Sequence, residues 1–293
     1  MTAPTSPLLP TPPPIKVGER TLDFERPLIM GVLNVTPDSF SDGGLFDDRQ
    51  RAIARAHEMI AQGADIIDVG GESTRPGAPP VSRDEELRRV LPIIEALSSQ
   101  TSTPISIDTT KSDVADAALE AGAALVNDIS GATLDPEILA VTATHGAALV
   151  LMHMLGTPET MQSIVSYGDV VRDVVDFLTQ RVDAAVAAGV PAARILVDPG
   201  IGFGKHLEHN LALIRGVGQL AALGHPVLLG TSRKSFLGEL TGRTEPTRRV
   251  FGTAATVALG VEYGAHVFRV HDVAEMSDVV QVAHAVCRIG RGG

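Results

Sequence analysis

Short apolar runs alternate along this chain with longer stretches in which apolar residues recur every three or four positions. The runs lie at 28–33, 64–69, 105–107, 124–126, 147–152, 195–197, 227–229 and 265–270. Each is bounded by polar residues or glycine, as expected of strands buried on both faces. Amphipathic stretches follow, for example at 49–62, 84–98, 112–121, 168–188 and 208–223, and several stop at a glycine suited to a helix end: Gly63, Gly122, Gly189 and Gly224. Eight strand–helix alternations without a break in composition predict one α/β domain, a single (β/α)8 TIM barrel over residues 15–290. An open doubly wound sheet is the alternative arrangement. Ahead of the first run, residues 15–24 place Val17, Leu22 and Phe24 around Gly18-Glu19 and read as a short β-hairpin closing the bottom of the fold. Residues 1–14 are rich in Pro, Thr and Ser and are expected to be a disordered tail.

Composition narrows the function classes. The 293 residues carry a net charge of −11, a poor basis for sequence-independent nucleic-acid binding. With aromatics at 3% and no Trp, the core must be built from Ala, Val, Leu and Ile. No apolar run approaches a membrane span, and the first residues lack the basic and apolar regions of a signal peptide. One cysteine, Cys287, excludes an internal disulfide and a multi-cysteine metal site, and fits a reducing, cytoplasmic setting.

The unusual residues follow the apolar runs, where a barrel of this kind carries its chemistry. In order these are Asn34, Asp68, Asp108, Asn127-Asp128, Met152-His153, Asp198, Gly230-Thr231-Ser232-Arg233-Lys234-Ser235 and Arg269-Val270-His271-Asp272. Singly, each has a plain structural reading as a helix cap, a turn or a solvated charge. Together they sort by chemistry. Asp108, Asn127 and Asp198 would meet in the barrel mouth, where buried carboxylates need donors. A pterin offers such donors, a ring N–H beside an amino group, which pair with a single carboxylate. Lys234 could reach a ring carbonyl, and the Arg269 guanidinium could lie flat on the ring. Arg75, Arg269 and His271 form a cationic group, and the helix start at 232–235 suits an anion.

Two long segments make a resemblance specific. Residues 30–44 (MGVLNVTPDSFSDGG) and 68–77 (DVGGESTRPG), with Ser-Arg-Lys-Ser at 232–235 and Arg-Val-His-Asp at 269–272, resemble the dihydropteroate synthases over about residues 15–287. The resemblance implies a transferase of folate biosynthesis, a sulfonamide target, that joins (7,8-dihydropterin-6-yl)methyl diphosphate to 4-aminobenzoate and releases diphosphate. It implies that Asp108, Asn127, Asp198 and Lys234 hold the pterin, with Arg269 stacked on it and Met152 lining the pocket. Asn34, Thr74, Arg269 and His271 would handle the diphosphate, Asn34 with Mg²⁺, helped by Asp42. Phe40, Arg75, Pro76, Phe203, Ser232 and Lys234 would shape the aminobenzoate pocket, and Phe40, Asp42 and Thr74 sit on two loops that would close over the reactants. Carbon–oxygen cleavage at the pterin methylene would run ahead of attack by the uncharged arylamine.

The resemblance also implies a homodimer through the late helices, with the small residues of 253–260 permitting close packing. Thr110, Ile201, Leu155 and Glu159 depart from the common family pattern and affect the fine shape of the pocket. His153 reads as structural, near the pterin. Rival readings are a pterin-binding methyltransferase domain, a non-catalytic paralogue that only binds pterin, and a Schiff-base aldolase using Lys234.

Overall fold

The computed structural model describes residues 11–35, 45–75, 77–163 and 165–289. A two-stranded antiparallel hairpin comes first, β1 (Ile15–Val17) and β2 (Arg20–Leu22), with Ile15 opposite Leu22. Eight parallel strands follow: β3 (Leu28–Asn34), β4 (Ile66–Gly70), β5 (Ile105–Asp108), β6 (Leu125–Asp128), β7 (Ala148–Met152), β8 (Ile195–Asp198), β9 (Leu228–Leu229) and β10 (Val267–Val270). Their order is β8-β7-β6-β5-β4-β3-β10-β9, and the two ends meet at a bridge between Val197 and Val227, which closes the barrel. The predicted barrel is therefore the observed one, and every apolar run is a strand of it.

Around it lie α1 (Leu45–Ala61), α2 (Arg83–Gln100), α3 (Ser112–Glu120), α4 (Glu137–His145), α5 (Val170–Ala187), α6 (Leu207–Arg215), α7 (Val217–Ala221), α8 (Ser235–Thr241), α9 (Val250–Tyr263) and α10 (Val273–Ile289). The stretch 208–223, expected as one helix, breaks at Gly216. Any side chain there would press within 2.9 Å of both methyls of Val171 on α5.

Strand side chains alternate between faces with a period of two. Ile29, Ile67, Ile107, Val126, Leu149, Val197 and Phe268 point out and pack under the helices. Met30, Ile66, Leu125, Val150, Leu196, Leu228 and Val267 point in and fill the lower barrel, with Ile15, Val17, Leu22 and Phe24 of the hairpin segment sealing its floor. Full burial of each such side chain contributes about 1.5–3 kcal/mol. One inward step above this aliphatic layer the residues become polar: Asp68, Asp108, Asn127, Asp198 and Arg269. The register aligns them across neighbouring strands, with Gly70 beside Asp108, Asp108 beside Asn127, and Met152 beside Asp198. The site is thus the top layer of the barrel filling, set by strand parity.

Candidate active site

A cavity of about 490 Å³ opens at the C-terminal end of the strands. Asn34, Thr74, Arg75, Asn127, Met152, Asp198, Phe203, Ser232, Lys234, Arg269 and His271 all line it. Those eleven were assigned to one site from sequence, and the fold brings them to one opening. Ile129, Met152, Met161 and Phe203 supply apolar lining to the cavity and cluster with Met154. Phe40, Asp42 and Pro76 lie outside the described residues.

Asp108, beside Asn127 in register, is shut off from the cavity. The Arg269 guanidinium covers it, donating from Nη2 to Asp108 Oδ2 at 2.6 Å and from Nε to Asp68 Oδ2 at 2.7 Å. Asn127 Nδ2 donates to the same Asp68 oxygen at 3.1 Å, and Asp68 Oδ1, fully buried, has no partner among the described residues. Asp68 is the residue that reading by strand ends noted without giving it a role. It carries the same signal as Asp108 and Asp198, a carboxylate directly after an apolar run, but a cross-barrel pair 201 positions apart leaves no trace in one sequence.

Burial dominates the electrostatics. It pushes the Asp198 carboxyl up to about 6, against the Gly200 N–H, which donates to its Oδ1 at 2.7 Å, and against the Lys234 charge. It raises Asp108 as well; Arg269 opposes that rise and the Asp68 charge adds to it. It lowers Lys234 to about 8, helped by Arg269 and opposed by Asp198 and Asp108. His271 falls to about 3 through burial and the Arg269 and Arg233 charges. Burial would lower Arg269 too, but Asp68 and Asp108 hold it above its ordinary value. The mouth therefore contains carboxylates poised to accept donors, an Arg269 guanidinium fixed among them and a neutral imidazole.

The turn after β9 differs from the anion cradle expected there. Arg233 adopts φ 60° and its N–H donates to Thr253 Oγ1, while the Lys234 N–H is turned onto the Thr231 carbonyl. Two of the turn's donors are thus already used, and α8 behind it is only seven residues long. Arg233 instead forms an ion pair with Asp272. The Lys234 ammonium stands 4.0 Å from the centre of the Phe203 ring.

Phe203 belongs to a glycine-rich turn held from behind. Lys205, buried, places Nζ 3.0 Å from His153 Nδ1 and donates to the carbonyls of His153 and Phe203. Burial takes Lys205 down to about 7, and takes His153 to about 3 with help from the Lys205 charge. Gly200 (φ 68°) leaves no room for a side chain, since a Cβ would fall 1.9 Å from the His153 carbonyl oxygen. Gly200→Ala is expected to destabilise the fold by about 3 kcal/mol, a drop in melting temperature of about 6 °C or more, and to pull the N–H away from Asp198. Thermal melts and pterin binding on the same sample check both.

A second cluster fixes the loop that carries Thr74 and Arg75. Lys111 bridges Glu72 and Glu86, and Arg89 donates to the Gly71 carbonyl at 2.7 Å. These residues went unnoticed because ion pairs between a loop, a helix and the next strand's end obey no local spacing. The same holds for Pro246, Thr247 and Arg249, which reach the cavity rim from a polar segment.

A sequence profile of the Pterin binding enzyme family matches residues 30–271. A dihydropteroate synthase of Synechocystis sp. is 50% identical over 278 residues, covering 94% of this chain and 96% of that protein. The Xanthomonas albilineans dihydropteroate synthase with 4-aminobenzoic acid superposes with a TM-score of 0.88 at 46% identity, over 94% of this chain and 98% of that one. The same organism's enzyme in complex with 7,8-dihydropteroate gives 0.85 at 43% identity, over the same shares of each chain.

Proposed function

The chain belongs to the pterin-binding enzymes and, among them, to the dihydropteroate synthases; from that membership we propose how its mouth performs the condensation. The enzyme joins (7,8-dihydropterin-6-yl)methyl diphosphate to 4-aminobenzoate in folate biosynthesis. The observation that carries the assignment of roles is the convergence of Asn127, Asp198, Lys234 and Arg269 on one cavity lined by Met152, with Asp108 bonded behind Arg269.

The pterin enters edge first. Asp198 accepts the paired donors of its amino-bearing edge, Asn127 reads a mixed donor–acceptor edge and Lys234 donates to the ring carbonyl. Arg269 exchanges its bond to Asp108 for a place over the ring face, which frees Asp108 for a ring N–H and keeps the guanidinium among carboxylates throughout. At the rim Asn34, Thr74, Arg269 and His271 hold the diphosphate. Charge builds on that group as the methylene carbon–oxygen bond breaks, and pre-placed donors stabilise it there. The acidic layer formed by Asp68, Asp108 and Asp198 favours the positive charge left on the pterin methylene. The arylamine of 4-aminobenzoate needs no base before attack. Arg75, Phe203, Ser232 and Lys234 aim it from the outer part of the cavity.

Among the described residues no group of three or more His, Cys, Asp or Glu side chains is placed to hold a metal. Asn34 offers a single hard oxygen at the rim, close to Gly70 and Asp108. That suits Mg²⁺, which keeps several waters and arrives on phosphate oxygens. Asn34 would hold such an ion, with Asp42 as the second ligand that the sequence resemblance implies, and the ion would neutralise charge at the diphosphate.

The assembly is proposed to be a homodimer. The neighbouring α9 and α10 leave Phe251, Leu259, Val282, Val286 and Ile289 exposed, apolar surface that a second copy would cover. Of the small residues at 253–260, three face the barrel, while Ala255 is exposed on the outer side. Thr253, Thr256 and Gly260 are buried, and a Cβ on Gly260 would strike Phe268 at 2.7 Å. No helix among the described residues is long and apolar enough to cross a membrane, and we place the enzyme in the cytoplasm.

The test is diphosphate release from the pterin diphosphate with and without 4-aminobenzoate and Mg²⁺. Release that depends on both supports the reading; release indifferent to 4-aminobenzoate contradicts it. Pterin affinity should also follow the Asp198 carboxyl. Binding needs the ionised form, so affinity should rise to a plateau near pH 7 and fall roughly tenfold per unit below about pH 6. Calorimetric titration between pH 5 and 8 reads the profile, and a flat profile would remove Asp198 from the pterin contact.

A further inference from the structure

His271 is held unusually firmly for a rim residue. Its backbone N–H donates to Ser232 Oγ at 3.1 Å, and its carbonyl accepts from Arg55 Nη2 at 3.1 Å. With both backbone groups fixed, the ring is also tied: Nδ1 lies 3.0 Å from the same Ser232 Oγ. The neighbouring pair is tied too, through Arg233 and Asp272, so the β9 turn and the end of β10 are stitched together at two successive positions.

The hydroxyl can serve Nδ1 in two ways. It could accept an Nδ1–H, or it could donate its own proton to a bare Nδ1. In the first case the Ser232 oxygen would accept twice, from the His271 N–H and from Nδ1–H. Its proton would then have no acceptor among the described residues, since Ser232 is only 5% exposed and makes no other hydrogen bond there. In the second case the oxygen accepts once and donates once, and every group of the trio is satisfied. A doubly protonated ring is opposed by Arg269, Arg233 and Lys234, all of which bear on it.

We infer that Ser232 is a positioning residue that fixes the Nε2–H tautomer of His271, so that the ring meets the leaving diphosphate as a neutral hydrogen-bond donor. This rests on the reading of His271 as a diphosphate group. It gives Ser232 a task besides lining the aminobenzoate pocket. It also changes the character of His271, which stabilises the departing charge by donation and keeps its proton. Bond breaking then needs no proton transfer from the imidazole, and the electron pair of the carbon–oxygen bond leaves with the diphosphate.

Long-range ¹H–¹⁵N correlation on the full-length protein labelled at histidine nitrogens reads the tautomer directly. His271→Gln removes one ring from the spectrum of nine and so assigns it. Between pH 5.5 and 8 the wild-type ring should show a protonated Nε2 and a bare, hydrogen-bonded Nδ1. Ser232→Ala should shift both nitrogens toward a tautomer mixture and lower kcat by about tenfold through a poorly oriented donor; Ser232→Thr, which keeps the hydroxyl, should return the wild-type shifts. A wild-type ring protonated at Nδ1, or a Ser232→Ala ring with unchanged shifts, overturns the assignment. Diphosphate release measured on the same samples separates the two claims, because its absence from the wild type would sink the functional reading while leaving the tautomer as observed.

Discussion

Arg269→Ala is expected to lower kcat/KM by about 10³-fold or more and to destabilise the protein by about 3–5 kcal/mol. Both losses come from one side chain. Asp68 and Asp108 are almost completely buried, and the guanidinium is the cation that bonds to each of them. Removing it leaves two desolvated carboxylates side by side, a larger penalty than the pair's own worth. The activity loss has a separate origin, since the same group faces the cavity and would carry the pterin and its diphosphate. Arg269→Lys separates the two effects. An ammonium restores a positive charge and should recover part of the melting temperature. It cannot donate from two nitrogens set apart on a rigid plane to two acids at once, so turnover should stay low. Recovery of full turnover in the lysine variant would refute this account.

Asp198→Asn should act in opposite directions on binding and on stability. Binding should fall by about 10²-fold or more, because one of two paired donors on the ligand then meets an amide N–H. Stability should rise at neutral pH. The folded carboxyl titrates near 6, above its ordinary value of 3.8, because burial disfavours the charge. The folded state therefore binds this proton more tightly than the unfolded chain. The penalty is absent below about pH 4, grows as pH rises, and is complete above about pH 6. It amounts to about 2–3 kcal/mol. Asparagine removes it, so the variant should melt about 5 °C higher at pH 7.5 and with little change near pH 4. A variant that melts lower than wild type at both pH values would show that Asp198 contributes to the fold and is not a strained group kept for its ligand.

How much of this was legible beforehand follows from which interactions are local. Strands buried on both faces must be apolar throughout, so all eight runs stood out, and the polar residues that follow them mark the working end. Parity then carries Asn127, Asp198 and Arg269 to one layer without further information. What remained hidden joins distant parts of the chain. Asp68 was visible as a strand-end acid, but its bonds to Arg269 and Asn127 depend on the width of a closed barrel. Ser232 could be placed near the aminobenzoate from resemblance, whereas its hold on His271 spans 39 positions. The break at Gly216 was missed because the amphipathic pattern continues through it, and only the contact with Val171 on another helix explains it.

The alternation of faces along the strands has a consequence for how this protein tolerates change in length. Inserting or deleting one residue inside β5, β6 or β8 would rotate everything beyond it by half a turn. Asp108, Asn127 or Asp198 would then be driven under the helix shell, and Ile107, Val126 or Val197 would be turned toward the opening. Two residues restore the facing but lift the group by a full layer. Natural length variation in this chain should accordingly be confined to connections at the sealed end and to the outer tips of the loops, with the strands as its fixed ruler.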